Sequence, residues 1–286
     1  MSSWQIGDVR ITKIVEREST GSIHRFLLLD ATPDACKEIA WLHPHFMTEQ
    51  GELHISVHAL VVETPRCRII VDTCFGNDKK RTRPGFNMLS GPFLHALDAA
   101  GFPVDGFDYV MCTHLHVDHV GWNTVLVDGT WEPTFKKARY LMAATEYEYW
   151  CQNRDEQQFG DYFGDSVKPV LDAGLVDLVA ANHRVCDEVW LEPTPGHSPG
   201  HVSVRIASRG EQALITGDFM HHPCQMARPH WCSTADYDQR AAEATRRRML
   251  AQLADEPTLV IGTHFAGVTA GRVVRDGAVW RLDTDA

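Results

Sequence analysis

The stretch His114-Leu115-His116-Val117-Asp118-His119 places three imidazoles and a carboxylate within six residues. Neutral imidazole and carboxylate are ligands for zinc, iron or manganese. Residues two apart in an extended segment point to the same side, so His114 and His116 could reach one ion. Asp118 and His119, where the chain turns, could reach a second ion. One loop supplies too few ligands for two ions, so other segments must contribute the rest.

Three later residues meet this requirement, because each follows a predicted strand. His197 comes after strand 188–191, Asp218 after strand 213–217 and His264 after strand 258–261. Loops at strand ends are where α/β proteins build functional sites. The sequence therefore predicts a metal site assembled from four separate elements.

The remaining elements form the frame for this site. Alternating apolar residues and turn signals predict further strands at 5–17, 55–63, 68–72, 109–113, 138–143, 175–179 and 202–207, and a hairpin at 271–282. Helices are predicted at 33–39, 92–100, 144–153, 167–173 and 236–253. The strands fall into two groups, each closed by a helix-rich piece. This order predicts the α+β class, as an αββα sandwich in a single domain over residues 1–286.

Three segments have two or more interpretations. An arm at about 18–53, aromatic-rich at 41–46, is a lid, an oligomer contact or a segment folded onto its own core; it motivates the prediction of a homodimer. The basic loop 77–85 is expected to be exposed, either steering anionic substrates or simply solvated. The run Arg246-Arg247-Arg248 is interpreted as salt bridges and solvated surface.

Composition excludes several classes of protein. The net charge of −11 disfavours nucleic acid as a partner, since phosphate binding needs a basic surface. No apolar run approaches the roughly 18 residues of a membrane span. The N-terminus lacks the basic and apolar regions of a signal peptide, so we expect a cytoplasmic protein. The eight cysteines form no C-x-x-C pair and are interpreted as reduced thiols.

The series H-x-H-x-D-H, His197, Asp218 and His264 resembles the metallo-β-lactamase-fold hydrolase superfamily, in its dinuclear lactonase and methyl-parathion-hydrolase-like branch. The resemblance runs from about residue 55 to residue 265. It implies a first metal held by His114, His116 and His197, and a second held by Asp118, His119 and His264, with Asp218 bridging them. It also implies that Asp72 supports the metal loop from behind. Zinc is the expected metal, with iron, manganese or cobalt as alternatives.

The resemblance implies a hydrolase that uses a metal-bound hydroxide on a lactone or ester of a small, partly apolar molecule. Hydrolysis of phosphotriesters or dehalogenation of aromatic compounds are alternatives, and a non-hydrolytic di-iron or metal-binding member is the alternative from another class. Asp118, Asp218 and His221 are the expected catalytic residues. Acyl-homoserine lactonases of the superfamily carry a tyrosine shortly after the bridging aspartate, where this chain has His221 and His222. The predicted substrate pocket comprises Phe86, Trp122, Phe219, His222, Trp231 and Phe265.

Overall fold

The computed structural model describes residues 2–21 and 23–285. Its strands are β1 (Ser3–Ile6), β2 (Val9–Gly21), β3 (Leu53–Glu63), β4 (Arg68–Val71), β5 (Tyr109–Met111), β6 (Thr124–Val127), β7 (Thr130–Pro133), β8 (Arg139–Ala143), β9 (Val176–Val179), β10 (Val189–Pro193), β11 (Val202–Ser208), β12 (Glu211–Ile215), β13 (Thr258–Ile261), β14 (Ala270–Asp276) and β15 (Val279–Asp283). Its α-helices are α1 (Pro33–Lys37), α2 (Phe93–Ala99), α3 (Ala144–Gln152), α4 (Lys168–Asp172), α5 (Cys224–Ala227) and α6 (Gln239–Ala254).

Two mixed sheets organise the molecule. The first has the order β1-β2-β3-β4-β5-β8-β9 and the second β10-β11-β12-β13-β14-β15. The strands from β4 to β9 in the first sheet run parallel, as do β12 and β13 in the second. Parallel neighbours direct their carboxyl ends to the same edge, and the predicted ligands follow those ends.

The sheets face each other, and helices cover their outer faces. In β12, Ala213 and Ile215 lie in the apolar layer between the sheets, whereas Leu214 packs outward in the layer containing α6. Strands buried on both faces read as continuous apolar runs. The αββα sandwich is confirmed, and an apolar layer shared by both sheets supports the prediction of a single domain.

Helix α6 begins at a side-chain cap. Asp238 Oδ1 accepts hydrogen bonds from the amides of Arg240 and Ala241, both at 3.0 Å. Met249 and Leu250 of α6 are buried against the second sheet. Arg246 departs from prediction, because it is fully buried rather than solvated.

The N-terminal arm is shorter than predicted, because residues 18–21 continue β2 and pair with β3. The described residues beyond them fold onto the second sheet's outer layer, where Leu28, Leu42 and Phe46 are buried. The aromatic segment 41–46 thus meets its own core, which removes the observation that motivated a homodimer.

The basic loop 77–85 is not uniformly exposed, contrary to prediction. Lys79 and Arg81 are buried, and both contact Asp165: Arg81 Nη1 lies 2.6 Å from Oδ2 and Lys79 Nζ lies 3.6 Å from Oδ1. These two charges hold the loop against the segment before α4 and are neutralised there.

Two hairpins were missed from the sequence. The first is β1–β2, which pair antiparallel across Gly7-Asp8 where a single strand over 5–17 was predicted. Strands β6 and β7 pair through Asp128-Gly129, which have φ of 49° and 81°. Two central residues with positive φ are typical of the tight turns favoured in hairpins. Within residues 2–21 and 23–285, none of the helices is long and apolar enough to cross a membrane.

Candidate metal centre

The Asp218 carboxylate lies at the centre of a cluster of imidazoles. Its Oδ2 atom is 3.2 Å from Nε2 of His119 and of His264. The same atom is 3.6 Å from Nε2 of His197 and 3.8 Å from Nε2 of His114. The loops after β5, β10, β12 and β13 therefore converge, as the strand-end positions predicted.

Four groups of ligand atoms among the described residues are compact enough to hold an ion. Within each, the ligand atoms lie within 4.8 Å of one another. Three groups consist only of predicted ligands, and the fourth combines His197 and Asp218 with His221. The three are His114, His116 and His197; His114, His119 and Asp218; and Asp118, His119 and His264. All seven predicted ligands are brought together in this way.

Most of these imidazoles are oriented by a second hydrogen bond through Nδ1. His119 donates to Asp72 Oδ2 at 2.9 Å, and His264 donates to the Ser56 carbonyl at 2.8 Å. His197 donates to Asp236 Oδ1 at 2.8 Å. A ring that donates from Nδ1 has its lone pair on Nε2, which is the ligand atom.

Several buried ligand atoms have no hydrogen-bond partner among the described residues. They are Nε2 of His114, Nε2 of His119 and Oδ1 of Asp218. Buried polar atoms are nearly always satisfied, so atoms left open at one point fit bound divalent cations. His116 Nδ1 and His197 Nε2 are 2.9 Å apart, near the roughly 3.3 Å that separates two nitrogens on one zinc ion with bonds of about 2.0 Å.

Burial keeps several imidazoles in the neutral form that binds metal. It lowers the pKa of His197 to about 3 and the pKa of His114 and His116 well below the usual 6.5. His119 differs: burial opposes its charged form, but Asp218, Asp72 and Asp118 outweigh burial and raise its pKa. Protons and metal ions therefore compete for this ring.

Asp218 remains a carboxylate despite its burial. Burial alone would raise its pKa, but the imidazoles around it, led by His119 and His264, hold the pKa well below its usual range. Its position is set by His201, whose Nε2 accepts from the Asp218 amide at 2.7 Å and whose Nδ1 lies 3.0 Å from the Thr194 carbonyl. His201 therefore anchors the turn and belongs to none of the compact ligand groups found among the described residues.

Glu146 is a buried carboxylate that sequence reasoning missed. It accepts hydrogen bonds from Leu115 N at 3.1 Å and Gly200 N at 2.9 Å, and from Ser198 Oγ and Trp150 Nε1 at 2.7 and 2.8 Å. Leu115 lies in the first metal loop and Gly200 in the turn of His197. Glu146 thus fastens two ligand-bearing segments to helix α3.

Asp236 and Glu16 were also missed. Asp236 orients His197 and lies 3.8 Å from the buried Arg246 guanidinium. Glu16 accepts from the amide of Phe75 at 2.9 Å and from Trp122 Nε1 at 2.6 Å. Asp236 sits in a Ser-x-x-Asp segment just before α6 and could be read only as a cap; no signal in the sequence pointed to Glu16.

A cavity of about 570 Å³ opens onto the cluster. Its base includes His116, Asp118, His197, Asp218, His221 and His264. Its walls are largely aromatic and include Phe75, Phe86, Tyr149, Trp150, Phe159, Tyr162 and Tyr237, with Ile23, Phe26 and Leu27 from the arm. A small-molecule site commonly has this size and this apolar character.

Five of the six predicted pocket residues do not line this cavity; Phe86 does. Phe219, Trp231 and Phe265 are buried in the outer layer of the second sheet. His222 is fully buried, and its Nε2 lies 3.0 Å from the Phe46 carbonyl. Trp122 bonds to Glu16 and stacks on Phe93 at 5.7 Å.

These corrections share a cause in the direction of the side chains. His264, Asp218 and His221 face the site, whereas their immediate neighbours Phe265, Phe219 and His222 are buried in the core. Trp122 points away because its indole N–H is drawn to a buried carboxylate.

His221 is the catalytic candidate that meets both the cavity and the cluster. Its Nε2 lies 3.4 Å from Asp218 Oδ2, and burial lowers its pKa to about 3, so the ring is neutral. It also forms a compact ligand group with His197 and Asp218.

Known proteins share this fold and this sequence pattern. The family described as the metallo-beta-lactamase superfamily matches residues 55–264. The N-acyl homoserine lactonase AiiA of Bacillus thuringiensis subsp. kurstaki is 28% identical over 175 residues, which are 57% of this chain and 63% of that protein. A probable metallo-hydrolase of Mycobacterium tuberculosis is 25% identical over 183 residues, 58% of this chain and 57% of that protein. The similarity thus spans less than two thirds of either relative.

Solved structures agree over nearly the whole chain. AidC, a dizinc quorum-quenching lactonase in complex with a product, superposes with a TM-score of 0.80 at 18% identity, covering 100% of this chain and 97% of its own. The hydrolase AbOPH of the beta lactamase superfamily gives 0.79 at 22% identity, covering 98% and 96%. At these identities the structural similarity shows the fold alone. The family match over residues 55–264 shows that the chain belongs to the metallo-beta-lactamase superfamily.

Proposed function

We propose that this protein is a dinuclear metal-dependent hydrolase that cleaves a lactone or ester of a small, partly apolar molecule. One observation carries the proposal: the ligand atoms of seven residues converge at the base of an aromatic cavity. Relatives named as lactonases support the choice of reaction.

The residues divide between two ions. His114, His116 and His197 would hold the first, and Asp118, His119 and His264 the second, with Asp218 shared. Zinc suits the nitrogen-rich set best, with iron, manganese and cobalt as alternatives. When bound, the ions would lower the pKa of water from about 15.7 towards about 7 and polarise the substrate oxygen.

Asp118 is the candidate for moving a proton. Its side chain retains 23% of its exposure, whereas that of Asp218 retains only 4%. Asp118 lines the cavity, and its Oδ2 lies 3.6 Å from His264 Nε2. A carboxylate in this position can accept a proton at the start of the reaction and pass it to the leaving oxygen.

His221 is the candidate for positioning the reacting group. A neutral imidazole carries one N–H, which can donate to the carbonyl oxygen of a bound lactone or ester. The ring stands beside Asp218 on the cavity wall. It would take the place of the tyrosine that acyl-homoserine lactonases carry shortly after the bridging aspartate.

The experiment is metal analysis followed by a substrate panel. We expect about two equivalents of divalent metal per chain and hydrolysis of lactones or aryl esters. Organophosphate triesters and chlorinated aromatics in the panel test the alternative reactions. His116→Ala should lose metal and activity, whereas the exposed His95→Ala in α2 should keep both.

Two outcomes would contradict the proposal. Iron with redox-active spectra, in protein inert to every ester and lactone, would favour the non-hydrolytic alternative. A metal-loaded protein that hydrolyses only phosphotriesters would keep the centre but change the substrate.

A homodimer and a cytoplasmic location remain predictions. Light scattering at working concentration tests the first, and a mass of one protomer would remove it. Fractionation of the source cells tests the second.

A further inference from the structure

The cavity wall also carries two arginines that lie far from the metal ligands in the sequence. Arg17, at the bulge of β2, and Arg83, in loop 77–85, both line its wall. Among the residues that the structure describes, no carboxylate oxygen lies within 4.0 Å of either guanidinium. Their charges are therefore not neutralised by the protein.

This lack of a carboxylate partner sets them apart from three basic residues that are buried, Lys13, Lys79 and Arg81. Lys79 and Arg81 share Asp165, and Lys13 pairs with Glu18 at 2.9 Å. The acidic residues that line the cavity are Asp118, Asp218 and Asp236, all in or against the metal cluster. In a chain of net charge −11, the wall at Arg17 and Arg83 is thus a local positive site.

Both guanidiniums are held in place by neutral contacts. Arg83 lies 3.6 Å over the Phe26 ring and 5.4 Å from the Phe86 centroid. Arg17 donates from Nη1 to the Gly85 carbonyl at 2.7 Å. Stacking uses the face of a guanidinium and leaves its in-plane N–H groups available, and these match the two oxygens of a carboxylate.

We propose that the natural substrate carries a carboxylate at the end opposite its reacting carbonyl, and that Arg83 and Arg17 bind it. This inference rests on the proposed hydrolase function and deepens it. The carboxylate sits among the guanidiniums and the Phe26 and Phe86 rings, and the apolar body of the substrate spans the aromatic walls. Arg83 contributes more than Arg17, because Arg83 is half-buried and Arg17 is exposed to solvent that screens its charge.

A matched pair of substrates tests this. Mono-4-nitrophenyl adipate has a terminal carboxylate, whereas 4-nitrophenyl hexanoate has the same chain length without it. We expect the metal-loaded enzyme to favour the adipate ester in kcat/KM by about tenfold or more. Arg83→Gln should remove most of this preference and Arg17→Gln a smaller part. Lys80→Gln removes the same charge from an exposed position of the same loop and should leave the ratio unchanged.

A binding measurement separates this inference from the proposed reaction. Calorimetry with octanedioate and octanoate should show tighter binding of the diacid to the wild type, and most of that difference should be lost in Arg83→Gln. Diacid preference without ester or lactone hydrolysis would retain the subsite and reject the hydrolase. The subsite would be overturned by hydrolysis that favours the neutral ester or does not distinguish the two esters. It would also be overturned if Arg83→Gln and Arg17→Gln both left the ratio of kcat/KM values unchanged.

Discussion

The two ends of the cavity are built by different means. At the metal end, most of the ligands are buried and most imidazoles are oriented by a second hydrogen bond, as His119 is by Asp72. The part of the wall formed by Phe26, Phe75, Arg83 and Phe86 is called the mouth. There Phe86 stacks on Phe75 with centroids 4.4 Å apart, and Arg83 lies over Phe26. Directional bonds fix a geometry, whereas ring contacts tolerate changes of shape. The metal end should therefore determine whether reaction occurs, and the mouth which molecule reacts.

The largest expected effect comes from Asp218→Asn. The substitution removes the negative charge that both predicted ions would share, so kcat/KM should fall by about a thousandfold or more, with loss of at least one metal equivalent. Metal analysis and kinetics on a lactone or ester measure both. Asp98→Asn, at an exposed position of α2, serves as the control. Full activity with two metals in Asp218→Asn would contradict the ligand assignment.

The next effect concerns stability. Glu146→Ala leaves four donors without their acceptor, so the free energy of unfolding should fall by about 2–4 kcal/mol. Urea unfolding measures the change. Glu148→Ala, two residues along on the exposed side of α3, should have little effect. Equal stability of the two variants would show that the carboxylate does not fasten the loops.

The pH dependence of stability in the metal-free protein follows from the buried imidazoles. Burial lowers the pKa of His197, His221 and His222 to about 3, against about 6.5 when unfolded. The unfolded chain therefore binds protons that the folded chain excludes. The contribution is complete above about pH 6.5 and is lost as the pH falls towards about 3.

Urea unfolding at pH 7.5, 6 and 5 tests this. The free energy of unfolding should fall by at least about 1.4 kcal/mol per pH unit below pH 6, which corresponds to the uptake of one proton on unfolding. Glu146 acts in the opposite sense above pH 4.5, because burial raises its pKa and the folded state then binds the extra proton. A flat profile between pH 7.5 and 5 would show that these rings are not held neutral.

The smallest effect is expected at the mouth. Phe86→Ala opens the wall without touching a ligand, so kcat/KM should fall about tenfold for aryl or long-chain substrates and less for small ones. The melting temperature should change little, because Phe86 is only half-buried. Met88→Ala, 49% exposed and off the cavity, is the control. A uniform loss for all substrates would place Phe86 with the metal end instead.

The two ends also differ in how far the sequence predicted them. The ligands were recognisable because His114–His119 is dense and because His197, Asp218 and His264 each follow a strand. Most strands and helices were predicted with their ends a few residues off, whereas the β1–β2 and β6–β7 hairpins and the short helix α5 were missed. The residues of the cavity wall were predicted poorly. Trp122 and Phe265 lie close to metal ligands along the chain, but neither side chain lines the cavity.

Apart from Asp72, the supporting carboxylates could not be predicted, for a related reason. Glu146 and Glu16 bond to groups far along the chain, and a buried glutamate in a helix or strand resembles a solvated one in sequence. Arg246 is the same case, because its Nε donates to the Phe219 carbonyl at 2.9 Å from within an apparently solvated run. Only the packing of the two halves shows which charged residues are enclosed.

The shared carboxylate of Glu146 has a consequence for deuterium uptake. The amides of Leu115 and Gly200 belong to loops that lead from different sheets, yet both hydrogens are covered by one side chain. Neither amide can exchange with solvent until that carboxylate withdraws. The two sites should therefore label at one common rate, set by a single opening of the junction between the sheets. The same opening would set the pace at which ions leave the loops, which links the lifetime of the loaded enzyme to a motion of its frame.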